Sequence, residues 1–71
     1  MLKFEEYKAI LDEGRELLKE VNHPTLKIEL KLLNQEFQKL KNSRGINKDI
    51  AESGCAYYAN QVQNSIHLIL A

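Results

Sequence analysis

The sequence predicts an all-α fold, a three-helix bundle, and three observations carry that expectation. Apolar residues recur at alternating steps of three and four along two segments, the period of an amphipathic helix. Breaks at Asn22 to Thr25 and at Asn42 to Asn47 divide the chain into three pieces of helical length. The last nineteen residues, Ser53 to Ala71, contain no Lys, Arg, Asp or Glu. A small protein leaves so long a stretch uncharged only if something covers it. The expected architecture is a single domain over 1–71, built from an antiparallel hairpin of helices one and two and a largely uncharged helix three. Dimerisation is one way of completing it.

The first helix is expected over about 3–22, where Phe4, Tyr7, Leu11, Gly14, Leu18 and Val21 form a seam widened by Ile10 and Leu17. Gly14 is the odd member. A helical glycine loses about 1 kcal/mol relative to alanine; on a buried stripe it either lets a bulky side chain approach closely or marks a local weak point or kink. Proline suits the first position of a helix and holds the residue before it out of helical geometry. Helix two therefore starts at Pro24 and runs over about 24–42. Its seam is Leu26, Leu30, Leu33, Phe37 and Leu40. Gly45 suits a left-handed cap after helix two. Asn47 suits the N-cap of helix three, with Ile46 as its hydrophobic staple. Helix three is expected over about 48–70, with Ile50 or Ala51, Cys55, Tyr58, Val62, Ile66 and Ile69 inward and Ser53, Asn60, Asn64 and His67 opposite. Its first half is rich in small residues, which admit larger side chains from the other helices.

Composition narrows the function classes. With 44% hydrophobic and 28% charged residues the chain is an ordered globular protein. Ten basic residues cancel ten acidic ones, so there is no electrostatic footprint for nucleic acid or anionic lipid. Asn60, Gln61, Gln63, Asn64 and Ser65 interrupt the uncharged stretch, and its apolar end falls far short of the roughly 20 residues of a membrane span. No apolar leader follows Met1, so no signal peptide is expected. The single cysteine, Cys55, excludes an intrachain disulfide and fits a reducing, cytoplasmic setting. At 71 residues the core is thin, which favours oligomerisation or a bound partner as the source of further stability.

Catalytic chemistry is not expected. Cys55 and His67 are twelve residues apart on one helix, roughly 18 Å, too far for a thiol and its base to meet. A thiol on a seam acts as a small hydrophobe. The carboxylates lie off the apolar seams, and there is neither a Cys-x-x-Cys pair nor a glycine-rich phosphate loop. No cofactor, metal or small-molecule substrate is expected.

Two readings of function remain. The stretch Asn47 to Ala56, with Ile50-Ala51-Glu52 followed by Gly54-Cys55, resembles the opening of DNA-binding helix-turn-helix units. That resemblance implies a small DNA-binding protein or transcriptional regulator, with a second helix from about Ala56 presenting Asn60, Gln61, Gln63 and Asn64 to base edges. The segment has no Lys or Arg for phosphates, so nucleic acid is not the expected partner. The leading reading is a non-enzymatic protein–protein interaction module, namely a small adaptor, inhibitor or co-chaperone. Ile28 and Leu32, four apart and well round the helix from the seam, form a second apolar face on helix two, which is either a binding patch or is covered by helix three. Tyr57, Gln61 and Leu68 would extend it along the flank of helix three. The expected partner is another protein or a second copy of the chain.

Overall fold

A computed structural model describes residues 4–71. Three α-helices follow in order: α1 (Phe4–Leu18), α2 (Pro24–Asn42) and α3 (Ile46–Leu70). They pack pairwise into the expected three-helix bundle, 38 Å long and 18 by 17 Å across. The closest-packed pair is α2 with α3, and α1 lies more lightly across both. The hairpin that dominates is therefore the second one, although α1 and α2 are antiparallel as expected. Phe4 stacks on Phe37, with ring centroids 4.5 Å apart, at one end of that pair. Gly14 meets Leu30 toward the other.

Each seam goes largely inward, except that Phe4, expected on the α1 seam, is exposed at the end of the helix even as its ring stacks on Phe37. Tyr7, Ile10, Leu11 and Gly14 of α1 are buried, as is the whole α2 seam of Leu26, Leu30, Leu33, Phe37 and Leu40. From α3 come Ala51, Cys55, Ala59, Val62, Ser65 and Ile66. Leu17, Leu18, Tyr58 and Ile69 pack partly buried around this core. Ala59 thus takes the fully buried place expected of Tyr58. The phenol of Tyr58 is too large for the narrow side of α3 and stays half-buried. Of the two candidates at the start of that seam, Ala51 is buried and Ile50 is exposed.

The helix ends differ from expectation in three places. α1 stops at Leu18, four residues before Asn22. Its last turn tightens, with the Lys19 and Glu20 amides donating to the carbonyls of Glu16 and Leu17 three residues back. The chain then needs 19–23 to reverse direction, which leaves Val21 exposed rather than on the seam. His23 is extended (φ −134°, ψ 93°), as a residue before proline must be. Its imidazole Nδ1 accepts the Leu26 amide at 3.0 Å, so His23 is the N-cap of α2. Gly45 does adopt positive φ (63°), yet not as a cap on α2, which ends on extended Ser43. With ψ −135° it occupies a region open to glycine alone, and its carbonyl accepts the first amides of α3 from Lys48 and Asp49. α3 therefore begins at Ile46. Asn47 lies inside the helix, and Ile46 is exposed rather than serving as a staple.

Two helical glycines mark close approaches. A Cβ on Gly14 would stand 2.6 Å from Leu30 Cδ2, so the missing methyl seats a core leucine. Gly54 lies beneath the Glu36 side chain, whose Cδ is 2.9 Å from where a Cβ would be. Alanine at these two sites should act in opposite directions. Gly14→Ala pushes a methyl into packed Leu30. Overpacking of about 1–3 kcal/mol outweighs the propensity gain of about 1 kcal/mol, and the loss should vanish in a Leu30→Ala background. Gly54→Ala displaces only a carboxylate that can swing into water, so stability should rise by up to about 1 kcal/mol. Urea unfolding of these variants checks both signs. In the same assay His23→Ala should lose about 1 kcal/mol while His23→Asn, whose side-chain oxygen replaces Nδ1 as the capping acceptor, stays near the parent.

Candidate functional site

Two contacts set the register of α2 against α3. Ser65 Oγ donates to the Glu29 carboxylate, and Glu36 covers Gly54. Residue numbers fall along α2 as they rise along α3, so the pair is antiparallel and Leu32 lies level with about Gln61. Leu32 shares the α2 stripe of Glu29 and Glu36, at i+3 and i−4. α1 packs on the opposite side, where Gly14 meets Leu30 and the Arg15 guanidinium donates to Asn34 Oδ1 at 3.3 Å. The α2–α3 pair consequently has one long face turned away from α1.

That face collects the residues expected to bind a partner. Ile28 is 59% exposed, Tyr57 55% and Leu68 79%. Leu32 and Gln61 are half-buried in the seam between the helices. Ile28 is left uncovered by α3, whereas Leu32 is partly covered. Two further residues belong to the face: Ile46 and Ile50, exposed to 74% and 62%. Ile46 had been expected as a staple and Ile50 as one of two core candidates. Their spacing to Tyr57, eleven and seven residues, is the signal that groups them with it. At about 100° per residue, the positions within roughly 60° of Tyr57 on α3 are Ile46, Ile50, Ser53, Gly54, Asn60, Gln61, Asn64 and Leu68. None of them is charged. Lys48, Asp49 and Glu52, the charged residues of α3, lie about 80° or more away. Tyr57 also contacts the Tyr58 ring edge-on, with centroids 5.1 Å apart, which orders an aromatic side chain at the centre of the stripe.

The candidate reactive groups are not brought together. Cys55 is wholly buried and His67 is exposed on another side of α3. Glu20 and His23 stand at Glu-x-x-His spacing, but in the α1–α2 turn rather than on a helix, and His23 Nδ1 is occupied as a cap. Among the described residues no group of three His, Cys, Asp or Glu side chains is placed to hold a metal ion. No helix among them is long and apolar enough to cross a membrane. The surface depressions are open. One, between α1 and α3, is lined by Glu13, Asn60, Gln63, Asn64, Ile66 and His67. The helix-turn-helix resemblance requires a turn before Ala56, but α3 runs unbroken through Ser53, Gly54 and Cys55.

Burial, with the Glu36 and Glu52 carboxylates adding, pushes the Cys55 thiol up from 9.0 to about 11. The Tyr7 phenol is raised above its ordinary 10.0, again chiefly by burial, with Cys55, Glu52 and Glu6 contributing. The Tyr7 hydroxyl is buried without a hydrogen-bond partner among the described residues. A thiol in this setting is core material rather than a nucleophile.

No protein-family model, curated protein or solved structure matches the chain.

The two raised groups set an alkaline limit. Both are neutral when protonated, and the folded chain holds their protons at a pH where the unfolded chain has released them. The thiol's contribution is complete below about pH 9 and declines as pH rises towards about 11, while the phenol's begins to decline only above about pH 10. For the thiol the slope is at most about 1.4 kcal/mol per pH unit. Urea midpoints measured across this window should fall, and Cys55→Ala should flatten the fall.

Proposed function

We propose that the chain is a non-enzymatic protein–protein interaction module, a small adaptor, inhibitor or co-chaperone. It acts by burying the face of α2 and α3 turned away from α1 against another polypeptide. The observation that carries this reading is the exposure of Ile28, Tyr57 and Leu68 on the face turned away from α1, together with the charge-free stripe around Tyr57 on α3. Contiguous exposed apolar surface on a small protein marks an interaction site more often than an accident of folding. Neutral amides at its border, Gln61 and Asn64, can hydrogen-bond a partner's backbone or side chains without the desolvation cost of a charge. Tyr57 suits an anchor, since a tyrosine supplies large apolar area and a hydroxyl for little conformational entropy. The single thiol suits a reducing compartment such as the cytoplasm.

The test is a double substitution. Ile28→Asp with Leu32→Asp should leave the far-ultraviolet helical signal and cooperative unfolding in place. It should strongly reduce both the binding of a fluorescent apolar dye and the retention of any protein held by the parent chain. Loss of helix in the double variant would make the pair core rather than surface, and a parent chain that binds neither dye nor protein would overturn the reading.

A further inference from the structure

We infer that the occupant of this face is a second copy of the same chain, seated α3 against α3 with Tyr57 meeting Tyr57. The inference rests on the interaction reading above and names its partner. Three observations point to self-pairing. The first is the chemistry of the stripe. A two-fold interface sets one patch against itself, so every charge on it meets its own sign. Around Tyr57 there is none to meet. The polar groups that are present, on Ser53, Tyr57, Asn60, Gln61 and Asn64, each both donate and accept hydrogen bonds. They are complementary to their own copies in a way that no carboxylate or ammonium is. The stripe also offers no charge by which to steer or select a partner of opposite sign.

The second observation is area. The chain exposes 5044 Å². A folded monomer of 8.2 kDa shows about 4,500 Å² by the usual scaling with mass. The bundle is 38 Å long, so a contact running along it has the length for a standard interface of roughly 800 Å² per partner. The third is position. Ile46, Ile50, Tyr57 and Leu68 line α3 over 22 residues, a contact line of about 33 Å along nearly the whole helix. A docked peptide or loop would need only part of that length, whereas a second α3 covers all of it.

Sedimentation equilibrium of the parent chain over a concentration series should show a dimer. Ile50→Asp and Leu68→Asp, both at exposed positions, should remain helical and raise the dissociation constant at least tenfold. In a Cys55→Ala background, Tyr57→Cys should give a disulfide-linked dimer on mild oxidation, while Gln63→Cys, on another side of α3, should not. A parent chain that is monomeric at concentrations on the order of 1 mM overturns self-pairing. If that monomer still binds apolar dye through Ile28 and Leu32, the broader interaction reading survives; if it does not, both fall. A dimer that cross-links through Gln63→Cys rather than Tyr57→Cys overturns the placement on the α3 stripe.

Discussion

The structure depends on the fit between the leucine-rich seam of α2 and the narrow side of α3. Leu26 and Leu33 are wholly buried, and the residues α3 brings to the core are mostly small: Ala51, Cys55, Ala59 and Val62. Large side chains on one helix and small ones on the other let two backbones approach without leaving voids. The same economy recurs between α1 and α2, where Gly14 makes room for Leu30. Each fully buried leucine contributes roughly 1.5–3 kcal/mol, so the thirteen apolar side chains buried among the described residues suffice to order the chain only if few are misplaced. The orphaned Tyr7 hydroxyl and the buried thiol are the costs carried inside that core.

That fit also decides where the surface lies. A helix whose core side is narrow keeps most of its circumference outside. α2 covers one flank of α3 through Glu29 and Glu36, α1 covers another, and the remainder faces away from both. On an ordinary surface helix this remainder would be Lys and Glu. Here it is Ile, Tyr, Leu and neutral amides, and the charges of α3 are confined to its first turns on other sides. The apolar face is thus not a leftover of core formation. It is a second stripe along α3, exposed on the side away from both other helices.

Much of this was legible in the chain itself, for reasons that differ from element to element. The α2 seam was readable because five apolar residues at strict helical spacing, bounded by Pro24, allow no other solution. Gly14 on the buried stripe was readable as a packing site or a kink, and the approach of Leu30 decides for packing. The end of α1 was not readable. Glu20, Val21 and Asn22 carry no stop signal, and only the need to reverse into α2 ends the helix at Leu18. The capping role of His23 was hidden because histidine is an infrequent cap, and only the extended backbone before Pro24 aims its ring at the Leu26 amide. The start of α3 was displaced because Gly45, with its positive φ, could turn the chain straight into a helix. Ala59 rather than Tyr58 is fully buried because the distance between α2 and α3, which a one-dimensional pattern does not contain, sets how large an inward residue can be.

By itself, then, the sequence determined three helices, two of their inward seams, the absence of a disulfide and the presence of a long uncharged segment. These follow from local periodicity, turn chemistry and composition, which act between near neighbours. The pairing of α2 with α3 as the tightest unit, and the side of α3 left open, were decided only by tertiary packing. So was the gathering of Ile46 and Ile50 with Tyr57, Leu68 and the Ile28–Leu32 pair. The reason is geometric. A helical pattern shows which residues share a face, but which face the other helices occupy depends on side-chain volumes far apart in the chain. The two contacts that set the α2–α3 register, Glu29 with Ser65 and Glu36 with Gly54, join residues 36 and 18 positions apart.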